Sequence, residues 1–326
     1  MKEEDIRPKK IFDEYLRLAA QDAKTYFSGV AREYISCPAC GNRGEFAFEK
    51  FDFNYDQCPK CHTLFVNPRP ESNAFERYYQ ESASSRYWAS TFYKETSESR
   101  REKLWKPKAI EINKILREID ADRSSTIVDI GGGYGIFAEE MQKLAANPSI
   151  VIEPSPHLAE ICRGKGLLVV EKFLEHVSRD DFDDGPKVFA SFELFEHLHN
   201  PSHFLQCLQE IMSSGDLFIF TTLSGMGLDI QVLWQDSKSV MPPHHLNFFN
   251  PKSIEAVLRG NGFKVIKITT PGQLDLDILD NNLNLIKDRF WKSFLTQASA
   301  SEKSSLQKWV ADQGYSSHMW AICEKI

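Results

Sequence analysis

Residues 126–141, Thr-Ile-Val-Asp-Ile-Gly-Gly-Gly-Tyr-Gly-Ile-Phe-Ala-Glu-Glu-Met, decide the fold class of this 326-residue chain. Thr126 to Ile130 is a short apolar run rich in β-branched residues, as expected of a strand buried on both faces. It carries Asp129 near its carboxyl end, and Gly131, Gly132, Gly133 and Gly135 follow before helix-compatible sequence begins at Ile136. Glycines suit such a turn because a Cβ would hold a ligand away from the backbone N–H groups, and some of these positions call for positive φ. The expected ligand therefore rests on bare backbone at the start of a helix.

Working outward, Ile150–Glu153, Leu167–Val170, Val188–Ser191, Leu217–Thr222 and Phe263–Thr270 are further strand-like runs, each but the last followed by helix-compatible sequence. Ser317–Ile326 alternates enough to add one more strand. The pattern predicts an α/β protein with a mostly parallel sheet covered by helices on both faces. Glu153 stands 22 positions after Gly131, at the tip of the second strand, where a carboxylate accepts hydrogen bonds from both hydroxyls of a ribose. Nicotinamide dinucleotides and S-adenosylmethionine would use the turn and Glu153 alike, so the choice rests on other residues.

Ahead of this region, residues 8–28 have the amphipathic rhythm of a helix. The segment after Pro70 is rich in aromatic residues, with Tyr87, Trp88, Phe92 and Tyr93 as a cluster expected to serve as core more than as a lid, and a helix is expected over about Glu95–Glu118. The expected organisation is an N-terminal helix (1–35), a cysteine-rich module (36–70), a helical and aromatic cap (71–120), and a ligand-binding domain (121–326) with an insertion at 271–314. Within that insertion a helical rhythm surrounds Leu283–Leu295, and a second helix is expected at Ser301–Ala311.

Seven cysteines occur, and four of them form the pairs Cys37-Pro-Ala-Cys40 and Cys58-Pro-Lys-Cys61 with 17 residues between Cys40 and Cys58. Each pair sets two thiolates on one side of a turn, and two pairs complete a tetrahedral sulfur cage, the geometry of structural Zn²⁺. A closed four-sulfur site has no open position for activating water, so its expected role is structural. Iron in a rubredoxin-like cage fits the same spacing. A redox CxxC is disfavoured by the matched second pair.

The 39 Lys+Arg against 46 Asp+Glu give a formal net charge of -7. That balance disfavours broad binding to a bare polyanion, and basic and acidic side chains cancel within residues 37–70, so nucleic acid is an unlikely partner. No run approaches the length of a membrane span, and the start Met-Lys-Glu-Glu-Asp does not read as an export signal, so the cytoplasm is the expected compartment.

Over roughly residues 110–326 the sequence resembles the class I S-adenosylmethionine-dependent methyltransferases, through Val128–Gly135, Ile152–Pro156, Phe192–Pro201 and Pro242–Asn250. The resemblance implies a seven-stranded sheet with an antiparallel last strand, and S-adenosylmethionine as cofactor. Gly131, Gly133 and Gly135, with Asp129 before them, would line its methionine part, Glu153 would hold the ribose, and Glu193 to His197 would lie across the site. No acidic residue for the adenine stands out in Val169–His176.

With the four cysteines in front, the closer likeness is to zinc-ribbon sugar C-methyltransferases and related carbohydrate-cluster enzymes. It implies His245 as the base at a nucleotide-linked keto sugar and matches His197 to the histidine after strand four. Where that family has Tyr and Glu, this chain has Pro242 and His244, so O-methylation stands beside C-methylation. A histidine suits the task because it titrates near neutrality. The expected function is methyl transfer to a small polar acceptor, foremost a nucleotide sugar. An RNA-modifying enzyme and a non-enzymatic protein-binding module are the alternatives.

Overall fold

The computed structural model describes residues 1–119, 125–145 and 148–326; the expected junction at 120/121 lies outside them. The chain opens with helix α1 (Lys9–Phe27) and a small antiparallel sheet of β1 (Glu45–Lys50), β2 (Phe53–Gln57) and β3 (Leu64–Val66), then α2 (Ser72–Glu81). A helical run from Ala83 ends in α3 (Lys106–Glu118). The alternating part follows as β4 (Thr126–Ile130), α4 (Ile136–Ala145), β5 (Ser149–Ile152), α5 (Pro156–Gly164), β6 (Leu168–Val170), β7 (Lys187–Phe192), α6 (Pro201–Ile211) and β8 (Leu217–Leu223). It continues with β9 (Asn247–Phe248), α7 (Pro251–Gly260) and β10 (Phe263–Thr269), and after α8 (Asp275–Asn281), α9 (Arg289–Gln297) and α10 (Ala300–Asp312) the chain closes on β11 (His318–Lys325).

The main sheet has seven strands in the order β10-β11-β8-β7-β4-β5-β6. Pairing is parallel from β8 through β6, and β11 runs antiparallel to both β8 and β10. All seven expected strands form within one residue of their expected ends, and the last is antiparallel as the resemblance implied. The strands read as near-continuous apolar runs because both faces are covered. Ile127, Val188, Ile219 and Ile322 face one way and pack with Ala109 and Ile112 of α3 and Phe137 of α4. Their alternates Val128, Phe189, Phe218 and Cys323 face the other way and meet Leu205 and Leu208 of α6 and Ile254 and Leu258 of α7.

Helices α6 and α7 start on the same device, Asn200-Pro201 and Asn250-Pro251. Each asparagine side chain caps a backbone N–H of the first turn, and proline supplies the fixed φ that suits the first helical position. The helix expected at Glu95–Glu118 begins earlier, at Ala83, and is broken in phase by wider turns at Trp88–Phe92 and Arg101–Trp105. Those turns interrupt the 3.6-residue rhythm, which hides the continuous helical path from a periodicity reading. The insertion also holds one helix more than expected, α8, while residues 282–285 form a turn and α9 starts only where Asp288 caps the Trp291 N–H at 3.0 Å.

Candidate active site

The glycine turn crosses the carboxyl edge of β4. Gly131, Gly133 and Gly135 have φ of 69°, 56° and 64°, a region costly for side-chain-bearing residues. A Cβ at Gly135 would lie 2.6 Å from Leu167, and one at Gly132 would lie 2.7 Å from the Asp129 carboxylate; at Gly133 nothing lies within 4 Å. Packing thus dictates two of the glycines, and the third faces open space, which fits a ligand held against backbone. The Gly133 N–H donates to Glu153 Oε2 at 3.0 Å, and Ser155 N–H donates to Oε1 at 2.9 Å. Burial pushes the Glu153 carboxyl upward, and these two backbone donors pull it back. Each of its oxygens keeps capacity for another donor.

Asp129 is buried and its Oδ2 has no hydrogen-bond partner. Burial pushes its carboxyl up to about 7, with Lys108 opposing and Glu153 reinforcing the rise. The helical cap lies over the turn: the Tyr93 ring stacks on Tyr134 with centroids 4.6 Å apart, and the Tyr134 hydroxyl donates to the Ala89 carbonyl. Most of the aromatic cluster is core, as expected. Phe92 and Trp88 are packed with Phe12 and Tyr15 of α1, while Tyr93 stacks on Tyr134 of the glycine turn.

At the tip of β7, Glu193 has φ 52°. A non-glycine residue there stores strain of about 1–3 kcal/mol. It is held by Thr221 Oγ1, which donates to Oε1 at 2.7 Å, by its own N–H to the Thr221 carbonyl at 3.0 Å, and by His318 Nδ1 at 3.3 Å. Burial would raise its carboxyl, but His318, Lys108 and Thr221 together hold it well below the usual range. Glu171, in the segment with no clear adenine partner, is committed to Arg163 at 2.8 Å.

The three histidines singled out from the sequence converge. The His197 ring centroid is 4.8 Å from that of His245 and 6.0 Å from that of His244. His245 Nδ1 donates to the Ser239 carbonyl at 2.6 Å, which fixes the tautomer and leaves Nε2 as an acceptor. His244 is buried and receives the Tyr78 hydroxyl on Nε2, with Tyr15 and Tyr79 against its ring. Burial pushes His244 down to about 3 and His245 to about 4, and burial with the two other imidazoles pushes His197 well below its ordinary value. All three are neutral at pH 7. Glu196, inside the stretch expected across the site but given no role of its own, is buried beside them, accepts from Thr222 Oγ1 at 2.8 Å, and is pushed up to about 8 by burial and by Glu193. Ligand atoms of Glu196, His197 and His245 lie within 4.8 Å of one another, close enough to share a cation. A protonated Glu196 beside neutral imidazoles equally makes an acid–base set.

The four cysteines also converge, with Sγ atoms of Cys37 and Cys61, Cys40 and Cys58, and Cys40 and Cys61 each 3.5 Å apart. The two turns are built alike. Gly41 N–H returns to the Cys37 carbonyl at 2.9 Å with φ 71°, and His62 N–H returns to the Cys58 carbonyl at 2.9 Å with φ 59°. Four thiols at these separations fit a tetrahedral metal cage.

The cysteine-rich sheet is not a separate appendage. β9, directly after His245, is its fourth strand, pairing antiparallel with β3 as Asn247 opposite Phe65 and Phe248 opposite Leu64. Tyr55 Oη donates to the His245 carbonyl at 2.7 Å, and Val66 N–H donates to the Leu246 carbonyl at 2.9 Å. Arg69, 1% exposed, donates to the His199 carbonyl at 2.5 Å and to Asn247 Oδ1 at 2.7 Å. Asn250, while capping α7, donates Nδ2 to the Cys61 carbonyl at 2.7 Å. The segment carrying His244 and His245 is therefore clamped between the cysteine module and the sheet edge.

Residues 99–268 match a family model described as a methyltransferase domain. A mitochondrial ubiquinone biosynthesis O-methyltransferase of Dictyostelium discoideum is 23% identical over 159 residues, covering 43% of this chain and 50% of that protein. The chain thus spans about half the length of the curated relative it matches. Among solved structures, a possible histamine N-methyltransferase of Thermotoga maritima is 16% identical with a TM-score of 0.45, over 78% of this chain and 95% of that one. The plantazolicin methyltransferase BpumL, solved with a triazolic substrate analogue and SAH, is 15% identical with a TM-score of 0.48, over 77% and 94%.

Proposed function

We propose, because the chain belongs to the family of methyltransferase domains and is an S-adenosylmethionine-dependent methyltransferase, that it methylates a nucleotide sugar with His245 as the proton acceptor. The cofactor supplies a methyl group on a sulfonium, and the protein's work is to align the acceptor behind it and take up one proton. Gly133 faces open space at the turn, Glu153 offers two carboxylate oxygens toward a ribose, and Asp129 and Glu193 flank the same edge. The observation that carries the assignment of the base is the His245 Nδ1–H bond to Ser239, which leaves a neutral Nε2 beside His197 and Glu196. His244, occupied by Tyr78, orients the pair.

Arg7 supports an anionic acceptor. Its guanidinium lies over the Phe12 ring, 5.4 Å from the centroid, and near enough to His245 and Tyr15 to bear on the charge of each. A diphosphate linked to the sugar would add negative charge where Arg7 stands. Zn²⁺ is the metal we assign to Cys37, Cys40, Cys58 and Cys61, as a brace for the histidine segment. Against the RNA alternative, β3 and the Cys61 turn are already occupied by Asn247, Phe248 and Asn250.

The test is to incubate the enzyme with S-adenosylmethionine and a panel of nucleotide-linked keto and hydroxy sugars, with bulk RNA as a separate arm, and to follow methyl transfer by mass. Methylation of a sugar nucleotide that is lost in His245→Ala is expected. Transfer to RNA alone would replace this reading. Deuterium exchange at the carbon beside the keto group, before transfer, separates C- from O-methylation.

A further inference from the structure

Ahead of α1, Glu3–Ile6 make a single helical turn that ties the insertion to the cap. On the insertion side, the Glu3 N–H donates to Asp277 Oδ2 at 2.7 Å and Asn281 Nδ2 donates to Glu3 Oε2 at 3.0 Å, both partners lying on α8. On the cap side, Ser99 Oγ donates to the Asp5 carbonyl, and Lys103 stands 4.0 Å from the Asp5 carboxylate. Glu3 and Ile6 are buried. Four residues are too few for a helix that holds by itself, so the turn keeps its place through these tertiary contacts. Arg7, at φ -136° and ψ 70°, leaves the helical path as the residue before Pro8 and separates the turn from α1.

Arg7 stands where this turn, α1, the cap and the histidine segment come together. Its charge is felt by His245, by Tyr15 of α1, by Arg100 of the cap and by Asp229 in the short helix Leu228–Leu233 after β8. None of the four is an anion at neutral pH. His245 is neutral, burial raises the Tyr15 phenol well above its ordinary value and pushes the Asp229 carboxyl up to about 8, and Arg100 is a second cation, offset in part by Glu193. Among the described residues the half-buried Arg7 guanidinium makes no hydrogen bond or ion pair, and its contact is the Phe12 ring. A guanidinium carries five N–H donors in a planar fork, and the oxygens of a phosphate match that fork.

We propose that residues 3–7 are a strap that opens to admit the acceptor and closes over it, with Arg7 gripping the acceptor's diphosphate beside His245. This rests on the nucleotide-sugar reading above and adds to it the element that selects for the phosphates. Arg7 meets the diphosphate only in the closed arrangement, so the acceptor favours closure by the free energy of that contact. Opening is inexpensive, because the hydrogen bonds that hold the strap to α8 and Ser99 exchange for bonds to water.

The test uses the full chain loaded with S-adenosylhomocysteine, with UDP and dTDP as probes and uridine and thymidine as their uncharged counterparts. Affinities come from calorimetry for the unaltered protein, Arg7→Gln and, as the conservative variant, Arg7→Lys. Hydrogen exchange read by mass spectrometry follows the backbone amides of residues 2–7. We expect the unaltered protein to bind at least one diphosphate, and Arg7→Gln to weaken it about tenfold or more while affinity for S-adenosylhomocysteine stays within about twofold. Arg7→Lys should recover part of the loss. The diphosphate should slow exchange over residues 2–7 in the unaltered protein and not in Arg7→Gln. Asp277→Ala combined with Asn281→Ala, which frees the strap and spares Arg7, should speed exchange there and weaken the diphosphate as well. Diphosphate binding that survives Arg7→Gln, or exchange at the strap that ignores the diphosphate, overturns the proposal and leaves the nucleotide-sugar reading standing. Equal loss of S-adenosylhomocysteine in Arg7→Gln marks a merely structural role and overturns it too. If the nucleosides bind as tightly as their diphosphates, or no probe binds the unaltered protein, the anionic acceptor itself falls and the proposal with it.

Discussion

The Tyr55 phenol donates a 2.7 Å hydrogen bond to the main-chain carbonyl of His245. Tyr55 lies fully buried in β2, three residues before Cys58, and burial pushes its hydroxyl well above the ordinary value, so it remains a donor across the working pH range. The cysteine module thereby holds the backbone of the proposed base directly.

Tyr55→Phe removes that donor and leaves a buried carbonyl unmet, a cost of about 1–3 kcal/mol. Turnover should fall about tenfold or more while affinity for S-adenosylhomocysteine stays within about twofold, because the bond serves His245 and not the cofactor turn. Steady-state kinetics beside calorimetry gives both numbers. Unaltered turnover would show that His245 keeps its place without the phenol.

Stripping the metal from the four-cysteine cage, or replacing Cys58 by Ser, should abolish turnover before the main sheet unfolds. The readouts are bound zinc by elemental analysis, turnover, and the far-ultraviolet signal of the whole chain. A fully active metal-free protein would break the link between cage and histidine segment.

Glu153→Ala leaves the Gly133 and Ser155 N–H groups without their carboxylate and removes the proposed ribose contact. Cofactor affinity should drop about tenfold or more by calorimetry. Unchanged affinity would count against placing the ribose at this strand tip.

Gly133→Ala and Gly135→Ala should behave differently although both carry positive φ. At Gly135 a methyl group meets Leu167 at 2.6 Å, so strain and overpacking together should lower stability by about 2–4 kcal/mol. At Gly133 the space is open, so stability should fall by only about 1–2 kcal/mol while ligand affinity is reduced. Denaturant unfolding with and without S-adenosylhomocysteine distinguishes the two, and equal losses at both positions would refute the contrast.

Glu196 predicts a pH dependence. Its folded-state carboxyl is raised to about 8, chiefly by burial, above the unfolded value of about 4.3. Its contribution to stability is therefore full below about pH 4.3 and is lost as pH rises through about 8, where the folded state must hold a buried anion. Glu196→Gln keeps the shape without the charge. Its stability relative to the unaltered protein should improve between pH 6 and pH 9, measured by urea unfolding. A difference that does not move with pH would mean that Glu196 is already ionised at neutrality.

Much of the main sheet was legible because parallel strands covered on both faces leave long apolar runs, and because Gly131 to Gly135 with Glu153 mark the turn between them. The paired cysteines were legible from spacing alone. Long-range partners were not. Nothing in Asn247–Phe248 announces a strand, since a two-residue strand has no periodicity and its partner is β3, far back in the sequence. Arg69 reads as a surface residue until its carbonyl partners at His199 and Leu246 are in place. Arg100 and Lys108 look like ordinary helix-surface charges, and the wide turns at Trp88–Phe92 and Arg101–Trp105 conceal which face they occupy. Glu196 lay within the expected stretch from Glu193 to His197, but its burial against Thr222 could not be read from the motif.

The bond from Asn250 to the Cys61 carbonyl spans 189 positions. During synthesis the four thiols therefore leave the ribosome long before the strand and side chain that complete their surroundings exist. A nascent chain that captures its ion early must carry β3 with an unpaired edge until Asn247 and Phe248 arrive, which makes this edge the place where newly made chains are most exposed to pairing with one another.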